Sequence, residues 1–402
     1  MGIQGLLKFL RDLCPEIHQE GDLAWMKGFK VAVDVAVKAY AYKSEYITKV
    51  ASKLDLIYED VNYPEATNFM IFQLLKLYSN MILAGCLPVS VFDGKAPDLK
   101  QGTKRDRASK SNKKKMRIAN LKRIGRALIE DPTYTPSQED IDFLQSLPGK
   151  PSDIHAIRSR LLTDIKSFIV VTPEDYQKLA FLLSNLGLPH VVAESEAEKT
   201  CAIMAKHRDV MAVMTTDSDC LVYGCPIMID KLTYMNSVIV PVPPKFKCYI
   251  FSNVLAVTGL THPQFIEFCI MCGTDFNDNA PGFATAENFK LIKHFGSLRG
   301  IVNAQREIKE RLAMNPWAQL TPEEKTVQGY DSSVLNYDEV LDFFIKPITY
   351  DRNALNPRIS EDQFDRAYPA LCTVFGHGTI DRQADMIRKL LERLTKIAKI
   401  LK

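Results

Sequence analysis

Apolar and polar residues follow two different periods along this chain. Four short runs are apolar on both faces, as strands inside a parallel sheet must be: "KVAVDVAV" at 30–37, "LPVSVFDG" at 87–94, "LPHVVA" at 188–193 and "DVMAVMTTDSD" at 209–219. Between them lie stretches of helical period. "TNFMIFQLLKLYSNMILAG" (67–85) stops at Gly85. "TPEDYQKLAFLLSNLG" (172–187) opens with Thr172 as N-cap, Pro173 in the first turn and two acids behind it, and closes at Gly187. Strands alternating with helices predict an α/β fold built on a central, mostly parallel sheet with helices on both faces.

Two regions depart from this alternation. The segment 130–170 contains "EDPTYTPSQEDIDFLQSLPGKPSD" and is rich in Pro, Ser and acids, which predicts a loop-rich insertion. After about residue 275 the pattern becomes mainly helical with polar loops, ending in a basic amphipathic helix at 381–402 that is expected to pack on the body. No internal repeat interrupts the chain.

Composition narrows the class. Of 402 residues, 46% are hydrophobic and 25% charged, as in ordinary globular proteins. No apolar run reaches the roughly 18 residues that would mark a bilayer span, so no membrane partner is expected. The N-terminus lacks a signal-peptide layout, and Leu6 stands where myristoylation wants Ser or Thr. Nine scattered cysteines fit a reducing, intracellular compartment rather than secretion. Cys269 and Cys272 form a lone C-x-x-C inside an apolar helical run and are read as core residues.

Charge changes the picture more. The net charge is only +3, yet residues 100–126 carry twelve Lys or Arg against one acid, Asp106. That segment is +11 and the rest of the chain −8. A basic block of this size points to a polyanion such as nucleic acid, the plainer alternative being a solvated basic helix.

The acids have a pattern of their own. Asp34 lies in or at the end of the first strand, Asp93 ends the second, Glu196 and Glu198 follow the third, and Asp217 and Asp219 end the fourth. Open parallel sheets bind ligands beyond the carboxyl ends of their strands. Six carboxylates at one edge repel one another unless cations intervene, and all-oxygen ligands favour hard divalent ions. Two such ions about 4 Å apart can activate water and stabilise the leaving oxygen of a phosphodiester. With the basic segment, this reads as a metal-dependent nuclease. A P-loop is absent, and an aspartyl phosphatase would need an acid at Ala36. The alternative class is a non-catalytic nucleic-acid-binding scaffold. The run "AESEAE" (193–198) is locally ambiguous, because Ser195 and Glu198 also fit a capping box.

Four blocks carry a family likeness: "MGIQGL", "VAVDVAVKAY", "VFDGKAPDLK" and "ESEAEKTCA" followed by "TTDSDCLVYG". With a fifth, "CIMCGTDFNDNAPGFATAENFKLI", the sequence resembles the flap endonucleases and the wider group of structure-specific 5′-nucleases that includes the xeroderma G-type repair nuclease. The resemblance covers roughly 1–130 and 170–300. It implies a PIN-like 5′-nuclease core over 1–275, with a basic helical arch at 100–130 and the insertion at 130–170. A helix–two-turn–helix duplex-binding element over 276–300 and a mainly helical region over 301–402 follow.

The resemblance also implies roles. Asp34, Asp93, Glu196, Glu198, Asp217, Asp219 and Asp275 would hold two Mg²⁺, with Mn²⁺ able to substitute. Glu194 is left as a bystander. Lys100 and Arg107 match the two catalytic cations, and Tyr40 an aromatic on which a terminal base stacks. Gly2, Gly282 and the arch residues Lys104, Arg105, Lys113, Lys114 and Lys115 would contact DNA, the arch mainly through phosphates and hence with steep salt dependence. The implied activity is endo- or exonucleolytic cleavage of DNA at single-strand/double-strand junctions or 5′ ends, in replication, repair or recombination. Two departures stand out. Ala284 occupies the second position of the usual glycine pair, which puts the family's K⁺ site in doubt. No sliding-clamp motif is found. The arch insertion and short C-terminal region resemble members from large DNA viruses.

Overall fold

A computed structural model describes residues 2–233, 244–360 and 362–400. Among the described residues, seven strands form one sheet: β1 His18–Asp22, β2 Lys30–Asp34, β3 Leu87–Phe92, β4 His190–Val192, β5 Ala212–Met214, β6 Ile227–Thr233 and β7 Lys245–Ile250. Their order is β1-β7-β6-β5-β2-β3-β4. The five strands from β6 to β4 are mutually parallel, and β7 runs antiparallel between β6 and β1. The expected mostly parallel sheet is present, and the four predicted runs form its contiguous half. β1, β6 and β7 are half-polar and escaped the apolar-run criterion.

The sheet residues alternate between two cores, as the period of two requires. Ala32, Val89, Val91, Val191 and Val213 face one core. Helices α1 Leu6–Leu13, α8 Ala197–Lys206 and α11 His262–Met271 pack there. Val31, Val33, Phe92 and Met214 face the other. There α3 Tyr63–Ala84, α7 Pro173–Asn185, α16 Gln363–Phe375 and α17 His377–Ile400 close the opposite side. Cys269 and Cys272 are buried in the first core as free thiols.

The first run breaks in half. β2 ends at Asp34, and α2 Val35–Ala51 begins at once, so 35–37 are helical rather than extended. Asp34 itself is the N-cap and accepts from Val37 N. Helix α7 keeps its predicted start, with Thr172 and Asp175 forming a capping box. By contrast, Ser195 and Glu198 form none. The N-cap of α8 is Glu196, and no side chain caps it.

The largest correction concerns 130–170. It holds two helices, α5 Gln138–Ser146 and α6 Ile154–Lys166, beside the 30-residue α4 Gln101–Glu130. A third core of Leu121, Ile124, Leu144, Ile157, Leu161 and Ile165 joins them to the end of α2. The apolar residues that build it are scattered among Pro, Ser and acids, so composition hid the helical spacing.

The remaining helices are α9 Asp219–Val222, α10 Phe251–Thr258, α12 Thr285–Phe295, α13 Leu298–Met314, α14 Pro322–Gln328 and α15 Tyr337–Ile345. The span 276–300, expected to hold a helix–two-turn–helix element, contains α12 and the start of α13, and α11 precedes it. Among the described residues, the region after 300 has no core of its own: α13 to α15 extend the first core, and α16 and α17 the second.

Candidate active site

Parallel strands put their carboxyl ends on one edge. Asp34 ends β2, Asp93 follows β3, Glu196 and Glu198 begin α8 after β4, and Asp217 and Asp219 follow β5. Asp34, Glu196, Glu198, Asp217 and Asp219 are all buried, whereas Asp93 keeps a solvent-exposed face although its carboxyl is partly shielded from water. Glu194 is exposed and stands apart in character from the two glutamates that follow it.

Backbone and hydroxyl donors aim these acids. Asp34 Oδ2 accepts from Thr215 Oγ1 at 2.8 Å. The same hydroxyl accepts from Asp217 N at 3.0 Å. Asp217 Oδ1 accepts from Asp219 N at 3.1 Å, and Asp93 Oδ1 from Ala197 N at 2.9 Å. Thr215, fully buried, thus links two strand ends. It lacks a carboxylate, so nothing in the sequence pattern marked it out.

Burial and mutual repulsion oppose the charged forms. Asp34 is pushed up to about 7, first by burial and then by Asp93 and Asp217. Burial likewise raises Asp93, Glu198, Asp217 and Asp219. Glu196 adds to the effect on Asp93 and Glu198, and Asp217 to that on Asp219. Asp275, in the loop after α11, behaves oppositely. Burial would raise it, but Lys100 and Arg107 outweigh burial and hold it low.

Those two cations reach in from the root of the arch. Lys100 Nζ lies 2.5 Å from Glu196 Oε2 and 3.0 Å from Asp275 Oδ2. Burial disfavours the lysine's charge, yet Glu196, Glu198 and Asp275 together raise its pKa. Arg107 donates to both Asp275 oxygens at 2.9 Å, and Thr103 Oγ1 to the Asp275 carbonyl at 2.8 Å. Phe276 floors this corner, with Lys100 Nζ 5.6 Å from its ring centre.

The proposed DNA contacts sort unevenly. Gly2 has φ +82°, and a Cβ there would come within 2.3 Å of Asp217 Oδ1. A side chain at residue 2 would therefore collide with the acid cluster itself. Tyr40 is 49% exposed on α2 and free to stack, not a core tyrosine. Lys104, Arg105, Lys113 and Lys115 are exposed along α4. Lys114 is held elsewhere, donating to Ser167 O at 2.9 Å and Ser167 Oγ at 3.0 Å. Gly282 is exposed at φ +84° in the turn before α12, whose N-cap, Ala284, supplies no capping oxygen.

Among the described residues, no three His, Cys, Asp or Glu side chains close into a coordination shell. Lys100 sits between Glu196 and Asp275. The donor set nevertheless fits a hard cation. It is all oxygen, and Asp219 Oδ1 is buried without a hydrogen-bond partner.

Known proteins are similar to this chain in sequence and in fold. The model of the XPG N-terminal domain matches residues 1–114, and that of the XPG I-region residues 187–275, together about half of the chain. Flap endonuclease 1 of Macaca fascicularis is 25% identical over 399 residues, covering 98% of this chain and 87% of that protein. A probable RAD2-like endonuclease of Invertebrate iridescent virus 6 is 26% identical over 316 residues, 73% of this chain and 71% of its own. The solved catalytic core of Rad2 in complex with a DNA substrate superposes with a TM-score of 0.63 at 19% identity, covering 97% of this chain and all of that one. At that identity the superposition speaks for the fold alone.

Proposed function

The chain belongs to the family defined by the XPG N-terminal and I-region domains, and from that membership we propose that it is a structure-specific 5′-nuclease. It hydrolyses DNA phosphodiesters at single-strand/double-strand junctions or 5′ ends with two bound Mg²⁺ ions. The observation that carries this reading is the edge itself: acids from four parallel strand ends, five of them buried and one of these with an orphaned oxygen, beneath a strongly basic helix.

Asp34, Asp93, Glu196, Glu198, Asp217, Asp219 and Asp275 would hold the ions. When bound, the ions lower the pKa of the attacking water and stabilise the leaving oxygen. The protein's own groups do the rest. Thr215 keeps Asp34 and Asp217 aimed. Lys100 and Arg107, positioned by Asp275, lie where they can accept a phosphate as a further anionic partner and stabilise its developing charge. Tyr40 offers a face for a terminal base, a contact of about 1–3 kcal/mol. The exposed cations of α4 bind the single strand through its phosphates.

Cleavage of labelled flap, nicked, gapped, four-way and blunt duplexes, with Mg²⁺ and with EDTA, tests the reading. Asp217→Asn is expected to abolish cleavage while leaving binding largely intact. Wild-type cutting by that variant would remove the site. Cleavage unaffected by EDTA would remove the metal mechanism. Equal cutting of every substrate, single strands included, would remove structure specificity.

A further inference from the structure

Helix α4 is two surfaces in one element. Its first half, 101–113, is almost wholly solvent-facing, and every residue it buries (Leu121, Lys122, Ile124 and Gly125) lies in the second half. Like-charged side chains three and four apart destabilise a helix, and helices gain most of their stability from tertiary packing. Pairs such as Lys110/Lys114 and Lys113/Arg117 thus need support from elsewhere.

That support is the segment 131–171. Arg117 forks onto Asp164, its Nε and Nη2 donating to Oδ2 and Oδ1 at 2.6 Å each. Arg160 donates to the same two oxygens at 3.2 and 2.9 Å. Asp164 is 1% exposed, so its charge depends on these two guanidiniums. Lys114 is tied to Ser167, and Arg123 pairs with Asp140, which also accepts from Tyr134. On the far flank Lys122 donates to Asp60 at 2.6 Å and to Glu59 O at 2.7 Å. The Ile57 side chain fills the face of α4 at Gly125, where a Cβ would lie 2.4 Å from Ile57 Cδ1.

We propose that 131–171 is a brace that holds α4 formed over the acid cluster before nucleic acid binds, with Arg117 and Asp164 as its positioning pair. The cost of ordering the arch is met on folding, so it does not weigh on substrate binding. Lys114, Arg117 and Arg123 are engaged with the brace, and Lys122 and Arg126 with residues 57–60, which leaves the strand to be gripped by 101–113 and the exposed Lys115. The kinetic consequence rests on the nuclease reading above, whereas the structural one does not.

Hydrogen exchange read by mass spectrometry on the full chain, without DNA or metal, tests the brace. Peptides covering 104–126 are expected to be protected in the wild type. Arg117→Met leaves Asp164 paired with Arg160, so the variant can fold. It is expected to speed exchange there at least about tenfold while β2 and β3 are unchanged. On a flapped duplex with Mg²⁺ the same variant is expected to raise KM about tenfold with kcat within about twofold. Free exchange of 104–126 in the wild type, or unchanged exchange in the variant, would overturn the brace. So would a fall in kcat with KM constant, which would put Arg117 in the chemical step. A wild type that cuts nothing would sink the nuclease reading instead, and the exchange result would still decide the brace.

Discussion

The hydroxyl of Thr215 donates to Asp34 Oδ2 at 2.8 Å, joining the ends of two neighbouring parallel strands through a residue that carries no charge. It also accepts from Asp217 N, so one side chain orients two of the acids. Thr215→Val keeps shape and removes this link. Stability is expected to fall by about 1–3 kcal/mol, the range for a buried acceptor left unpaired. Cleavage should slow while DNA binding in EDTA holds. Denaturant unfolding and single-turnover cleavage check both, and a variant as stable and fast as the wild type would remove the orienting role.

Removing a charge from the cluster should help the empty site and harm the loaded one. Asp219 is buried, repelled by Asp217 and Asp275, and has an oxygen without a partner. In EDTA, Asp219→Asn is expected to unfold at a higher temperature than the wild type. Mg²⁺ should raise the wild-type unfolding temperature and leave the variant's nearly unchanged, with cleavage reduced at least about 10²-fold. Thermal unfolding in the two conditions decides, and equal Mg²⁺ stabilisation of both proteins would exclude Asp219 as a ligand.

The same repulsion makes the metal-free protein sensitive to pH. Asp34 titrates near 7 when folded, against an ordinary aspartate range near 4. A raised acid favours the folded state when protonated. Its contribution is therefore complete below the ordinary range and is lost as pH rises through about 7. In EDTA, wild-type stability is expected to fall between pH 5 and about 8 more steeply than that of Asp34→Asn. Parallel curves for the two proteins would contradict the shift, and Mg²⁺ is expected to flatten the wild-type curve.

Neighbouring lysines on α4 should behave differently. Lys113 and Lys115 are exposed, whereas Lys114 is tied to Ser167. Lys113→Ala and Lys115→Ala are each expected to lower the slope of log K against log salt by about 0.7–0.9. Lys114→Ala should leave the slope and loosen the arch. Binding isotherms across a salt series in Ca²⁺ or EDTA separate these outcomes, and three identical slopes would refute the division.

Much of the site was legible because carboxylates at strand ends form a pattern along the chain. Asp34, Asp93, Glu196, Glu198, Asp217 and Asp219 could be placed on one edge once four apolar runs were taken as parallel. Thr215 was not legible, since a buried threonine in "TTDSD" has the same local pattern whether it packs or orients an acid. Ser195 misled in the opposite sense: its S-x-x-E spacing matches a capping box that the chain does not form. The 130–170 segment failed for another reason. Ile157, Leu161 and Ile165 keep helical spacing, but the face they bury exists only when α2 and α4 are beside them.

The sequence by itself determined the strand-and-helix alternation, the edge at which the acids collect and the cationic block above it. Each of these follows from the local period of side chains and from charge counted along the chain. Only the tertiary structure decided which charges meet. Arg117 and Asp164 lie 47 residues apart, and Lys100 and Asp275 lie 175 apart. Charge at that separation acts only when packing brings it within a few ångströms and removes the intervening water. The division of α4 into a braced half and an open half is therefore a property of the folded chain, although every residue in it was visible from the start.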